Sequence, residues 1–206
     1  MFEIIKAGGW LMLPLLACSV VAAAIIIERL WSLQQKRVVP ENLTARVWEW
    51  VRKNELNDEH LQSLKRSSPL GEILAAGIAS RGRTPDEIRD IIEDTGRHVV
   101  HEMERFLNTL GTIAAVSPLL GLLGTVIGMV KVFAAITAHG VGNPTVLAGG
   151  ISEALITTAA GLSIAIPALI GYRYLRGRVE ALVIQMEKES IVFVERLRAV
   201  HTEQPG

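Results

Sequence analysis

The stretch Ile151-Ser-Glu-Ala-Leu-Ile-Thr-Thr-Ala-Ala-Gly-Leu-Ser-Ile-Ala-Ile-Pro-Ala-Leu-Ile-Gly-Tyr172 decides the fold, because it is long and apolar enough to cross a bilayer core yet carries one charge, Glu153. No other carboxylate lies between Glu104 and Glu180. An ionisable side chain at the centre of a spanning helix costs roughly 2 to 3 kcal/mol on the gentlest scale, so it is tolerated when it faces a protein interior or a wet cavity. Glu153 is therefore a candidate proton or cation site.

Two more stretches upstream read the same way. Trp10 to Ile27 has no charge, and Leu110 to Ile136 has only Lys131. With 206 residues, 50% hydrophobic content and a mean hydropathy of +0.34, the chain is too apolar for an ordinary soluble domain. The expected fold is all-α, a polytopic membrane protein with three transmembrane helices and the lipid bilayer as its solvent. Its 20% charged residues are segregated into the remainder of the chain.

The basic residues give an orientation. Of 21 Lys and Arg, 13 lie from Arg29 to Arg105 and six from Arg173 to Arg198, while the connection from Ala138 to Gly150 has none. By the positive-inside bias, the long loop and the tail are cytoplasmic and the N terminus faces outward. The expected divisions are residues 1–30 (stub and first span), 31–108 (cytoplasmic loop), 109–137 (second span), 138–150 (periplasmic loop), 151–172 (third span) and 173–206 (cytoplasmic tail). A cleaved signal peptide is the alternative for the first span, but Ile25, Ile26 and Ile27 continue the apolar run, and Glu28 and Arg29 follow as at an uncleaved anchor. Cys18, the single cysteine, excludes an intramolecular disulfide and reads as a buried small hydrophobe.

The polar regions also carry helical signals. Pro40 and Pro69 open amphipathic stretches, and Thr84, Pro85 and Glu87 form a capping-box start. From there Ile88, Ile91, Ile92, Val99, Met103, Phe106 and Leu110 recur at spacings of three and four with no breaker before Pro118, which predicts one helix running into the second span. After Tyr172, Leu175, Val179, Leu182, Val183, Met186, Val194 and Leu197 keep the same period, so the third span is expected to continue far into the tail. Such stems must bury their stripes against each other or against further copies of the chain; Ile88, Ile91, Val99 and Met103 are candidates for the second case. A membrane-surface role for the tail is disfavoured by its mixed charge.

Within the spans, residues sort by size. At about 100° per residue, Glu153, Ala154, Thr157, Thr158, Gly161, Ala165 and Ala168 share one arc of the third span. Ala114, Ser117, Pro118, Gly121, Gly124, Thr125, Gly128 and Ala135 share one arc of the second. Small and hydroxylated faces permit close helix packing, the expected role of Pro118, Gly121, Gly124, Gly128 and Gly161. Thr125, Thr157 and Thr158 fit either packing or a pore, since a hydroxyl can also hold water. Glu153 has no basic partner in its own span; Lys131 is available to it only across helices, and its place in the outer third of the second span favours snorkelling toward the headgroups.

The runs Ala114-Ala-Val-Ser-Pro-Leu-Leu-Gly-Leu-Leu-Gly-Thr-Val-Ile-Gly-Met129, Gly150-Ile-Ser-Glu-Ala-Leu-Ile-Thr-Thr-Ala-Ala-Gly-Leu162 and Ala165-Ile-Pro-Ala168 resemble the ExbB, TolQ and MotA proton-channel family, with ExbB nearest. The resemblance implies a bacterial inner-membrane subunit, a pentamer around an ExbD-like partner with one span and a membrane Asp, and coupling through a TonB-like transducer. By motif it implies that Glu153, Thr125 and Thr158 face the partner's aspartate along the proton pathway. Lys131 departs from the neutral residue that would be unremarkable there. A compact loop and short tail argue against a flagellar stator.

Catalytic readings find little support. Gly121-Leu-Leu-Gly-Thr-Val-Ile-Gly128 lacks the Gly-Lys-Ser/Thr ending of a P-loop and follows no strand pattern, and Gly161-Leu-Ser-Ile-Ala165 is no nucleophile elbow. His98 and His101 lack a third ligand nearby. No enzyme activity, cofactor, metal or nucleic-acid partner is expected.

Overall fold

Helix after helix fills the chain, and the boundaries follow local chemistry. The computed structural model describes residues 8–53, 57–139 and 144–203, and no strand occurs among them. In order they are α1 (Met12–Ser32), α2 (Gln35–Val38), α3 (Leu43–Lys53), α4 (Asp58–Ser67), α5 (Pro69–Ala79), α6 (Pro85–Glu104), α7 (Leu107–His139) and α8 (Pro144–Glu203). Three helical stretches are long and apolar enough to cross a membrane: Met12–Ser32, Asp86–Ala138 and Leu147–Leu197. The protein is an all-α, multi-pass membrane protein.

Caps set the starts of α4, α5 and α6. Asn57 accepts from the backbone N–H of His60 at 3.0 Å, and Ser68 from that of Gly71 at 3.0 Å, each satisfying one of a helix's orphan donors. Thr84 and Glu87 close the expected capping box, with the Glu87 carboxylate accepting from the Thr84 N–H at 2.9 Å. Those bonds from the Thr84 backbone and hydroxyl, helped by Arg83, hold the Glu87 carboxyl below its ordinary value of 4.5.

The single helix expected across Phe106 is instead two. Phe106 adopts φ +64°, in the left-handed region, and α6 ends at Glu104 while α7 begins at Leu107. The end of α6 is stabilised from a distance. Arg29, buried in the polar part of the chain, donates from Nη1 to the carbonyls of Glu102 and Met103 at 3.4 Å each, in the last turn of α6, where the Glu102 carbonyl also accepts from the Arg105 N–H at 3.3 Å. Nothing in the residue types at 105 and 106 signals a stop, so periodicity alone runs through it.

The described chain forms two compact units. The polar unit comprises residues 29–53, 57–105 and 175–203. Its core is built around α5, an apolar helix whose Leu70, Ile73, Leu74, Ala75 and Ile78 are all buried. Gly77 lets α6 and α8 close on α5: a methyl placed there would lie 2.8 Å from Ile92 Cδ1 and 3.3 Å from Phe193 Cε1. Around it Ile88, Val99 and Met103 of α6 and Leu175, Val179, Leu182 and Met186 of α8 are buried. Their stripes are thus satisfied within one chain, which corrects the expectation that Ile88, Val99 and Met103 face neighbouring copies. Ile91 is only half-buried, whereas Ile184 and Ile191 of α8 face outward at 66% and 60% exposure. Thr44 Oγ1 donates to Glu189 Oε2 at 2.5 Å, tying α3 to α8.

The apolar unit comprises residues 8–28 and 106–174. Its interior holds Leu11, Leu15, Leu110, Ala154, Ala165 and Ala168, while Leu13, Val20, Leu122, Val126, Leu155, Ile166 and Ile170 point outward. Large apolar side chains outside suit a bundle in lipid, since lipid tails replace water around it, and the alanines inside let helices approach closely.

Candidate functional site

The site is the antiparallel seam between α7 and the apolar part of α8. Glycine spacing makes it possible. A methyl placed on Gly121 would lie 3.0 Å from Thr158 Cα, on Gly128 2.8 Å from both Ala154 Cβ and the Gly150 carbonyl, and on Gly161 2.5 Å from the Ser117 carbonyl. On Gly124 it would overlap the Thr157 hydroxyl. The expected packing glycines therefore lie where the two backbones meet, in the register 117/161, 121/158, 124/157, 128/154. Pro118, inside α7, is half-buried beside this line. Lacking an N–H, it leaves the carbonyl one turn earlier without its helical donor.

The hydroxyls of the seam are all engaged. Ser117, 0% exposed, donates to the Ile113 carbonyl at 2.8 Å, and Thr157, 1% exposed, to those of Ala154 and Glu153 at 2.9 and 3.1 Å. Thr125, half-buried, bonds the Leu122 carbonyl at 2.6 Å. Thr158 alone among these reaches across, from Oγ1 to the Gly121 carbonyl at 3.0 Å. The bonds to their own helix satisfy Ser117 and Thr157 inside the seam, while the half-buried Thr125 keeps a lone pair on its hydroxyl oxygen that can accept a further bond.

Glu153 sits at the end of this line with its side chain 22% exposed. Lys131 of α7 reaches it: Nζ lies 2.7 Å from Oε1, with the lysine side chain 52% exposed. This differs from the expected snorkelling lysine. The cause is the register, because Gly128 brings α7 against Ala154 and Gly150, and a residue three past Gly128 then stands beside one just before Ala154. Gly9, at φ +70°, completes the surroundings; a methyl there would overlap Glu153 Oε1. A glycine is required on both counts, since its conformation is left-handed and its Cα lies against the carboxylate. A helical wheel shows which residues share a face of one helix but not which residue of another helix opposes them, so Lys131 is named from sequence only as an unfavoured partner across helices and Gly9 is not named as a neighbour of Glu153 at all. Pairing the Gly121–Gly124–Gly128 ridge antiparallel with the small face around Gly161 would have found the lysine.

A carboxylate, an ammonium and several hydroxyls on one seam of small residues can exchange protons or order water, and they offer no nucleophile paired with a base. Comparison with known proteins points the same way. The model of the MotA/TolQ/ExbB proton channel family matches residues 65–188, more than half of the chain. The ExbB-like 1 biopolymer transport protein of Synechocystis sp. is 39% identical over 176 residues, covering 82% of this chain and 67% of the relative. The Tol-Pal system protein TolQ of Haemophilus influenzae is 33% identical over 181 residues, covering 82% and 78%. The biopolymer transport protein exbB1 of Vibrio cholerae is 31% identical over 173 residues, covering 81% and 75%. The α7–α8 seam lies inside the matched region, and this multi-pass bacterial membrane protein belongs to the MotA/TolQ/ExbB proton channel family, as a motor subunit of the ExbB/TolQ type.

Proposed function

We propose that the chain is the channel-forming subunit of an ExbB-like motor in the bacterial inner membrane, driven by the proton-motive force. It works as a homo-oligomer, a pentamer, around an ExbD-like single-span partner with a membrane Asp, and energises outer-membrane transport through a TonB-like transducer. Its N terminus is periplasmic and its C terminus cytoplasmic. Glu153, Thr125, Thr158 and Thr157 form its side of the proton pathway, with Thr157 as the buried member. One observation carries this reading: a single carboxylate, Glu153, stands at the end of a hydroxyl-bearing seam between two apolar spans. The energy scale is adequate, since one charge crossing 100 mV releases about 2.3 kcal/mol.

Two other readings stay in view. A TolQ-like role in an envelope-integrity motor is supported by the similarity to the Haemophilus influenzae protein, 33% identical over 181 residues. A membrane scaffold without proton conduction draws on the Lys131–Glu153 ion pair, since a structural carboxylate wants a basic partner. The test is Glu153→Gln, which keeps size and hydrogen bonding but cannot titrate. Its complex with the partner should assemble at wild-type mass while energy-dependent uptake falls to background. Wild-type uptake at matched expression would remove Glu153 from the proton pathway and favour the scaffold.

A further inference from the structure

Lys131 is the one observed neighbour of the site that neither the family motif nor close packing accounts for. Its ammonium lies 2.7 Å from the Glu153 carboxylate, within charge-assisted hydrogen-bond distance. The same oxygen, Oε1, is the one that Gly9 backs, so the carboxylate is held between a lysine on one helix and bare backbone. Among the described residues of the apolar unit only Glu28 and Arg173 are also charged. Arg173 is 20 residues along α8 from Glu153, about 30 Å by helical rise, and Glu28 is 16 residues along α1 from Met12, about 24 Å from the end of α1 nearest Gly9.

We propose that Lys131 is a positioning residue that locks Glu153: the ammonium holds the carboxylate as an ion pair, and protonation of either carboxyl oxygen removes the charge on which that pair depends. The proposal rests on the proton-pathway reading of Glu153. When a proton binds, the carboxyl becomes neutral, the charge attraction to Nζ is lost, and the stem of Lys131 is released from α8. When the proton leaves, the pair re-forms. Each proton that visits Glu153 thereby opens and closes a contact between α7 and α8. Lys131 carries no proton itself; it sets when the carboxylate is open to one and links that event to a change between two helices.

The test separates the lock from the channel. The purified chain in lipid nanodiscs is followed by infrared spectroscopy between pH 4 and 9, and the Glu153→Gln spectrum is subtracted to isolate the Glu153 carboxyl bands. Lys131→Met should shift the carboxylate bands, because the ammonium that donates to Oε1 is gone. Lys131→Arg should stay close to wild type. In the reconstituted complex with its partner, Lys131→Met should change the pH profile of proton flux. Should that variant misfold, Lys131→Gln carries the same expectation. Carboxylate bands superimposable on wild type in the neutral variants would overturn the lock, as would an unchanged flux profile. Shifted bands with no flux from any complex, wild type included, would keep the lock and sink the channel reading.

Discussion

Thr158 shows how a single residue can be tested for two roles at once. Its hydroxyl bonds the Gly121 carbonyl across the seam at 3.0 Å. Hydrogen bonds between helices in a membrane are worth about 0.6 kcal/mol on average, too little to hold a complex together. Thr158→Val, which keeps the shape and deletes the hydroxyl, should therefore leave the mass of the complex unchanged. Under the proposed pathway, proton flux in reconstituted vesicles should nevertheless drop severalfold. Wild-type flux in Thr158→Val together with damage in Thr158→Leu would make the site steric only. At this scale the sequence told which side chains share a face, because residue spacing fixes that. It did not tell that Lys131 meets Glu153 or that Gly9 backs the same oxygen, because those contacts depend on how neighbouring helices are placed, and Gly9 follows no helical period at all.

Among the helices, α6 has the clearest chemical start. The Thr84–Glu87 capping box was readable from Thr-Pro-Asp-Glu alone, and its acid dependence follows from the bonds that hold the Glu87 carboxyl below 4.5. The folded form is the one with the lowered value, so the contribution of the cap is complete above the unfolded value and is lost as pH falls through the folded one. Amide exchange at Asp86, Glu87 and Ile88, corrected for intrinsic rates, should rise on acidification below about pH 4.5, and Glu87→Gln should abolish that rise. An equal rise in Glu87→Gln would assign the fraying to another group. The other end of the helix was not readable. Phe106 takes a left-handed conformation that costs a non-glycine residue roughly 1–2 kcal/mol, and Arg29, 73 positions before Glu102, supplies a cap to the terminal carbonyls. Local propensity contains neither fact.

For the whole molecule, three spans and an all-α fold followed from the distribution of charge, because backbone groups in lipid must bond within their own helix. The partners of the amphipathic stripes did not. Ile88, Val99 and Met103 have a helical period whether they meet helices of their own chain or a second copy, and in the structure they are buried within their own chain. The surface left for the proposed homo-oligomer is elsewhere. Ile184 and Ile191, seven residues apart on α8 and both outward, are its strongest candidates within the polar unit. Ile184→Glu with Ile191→Glu should lower the mass of the complex in detergent while helix content is retained, since like charges would meet at an apolar seam. Unchanged mass would move the contact to the spans. The core of the polar unit has a further consequence, for the order of biosynthesis. Leu74 and Gly77 leave the ribosome almost 120 residues before Phe193, which closes over Gly77. At 5–20 residues per second that is a wait of roughly 6–24 s. Both later spans are translated during that interval, so they reach the bilayer while α5 still shows an open apolar side, and the polar unit is the last to be finished.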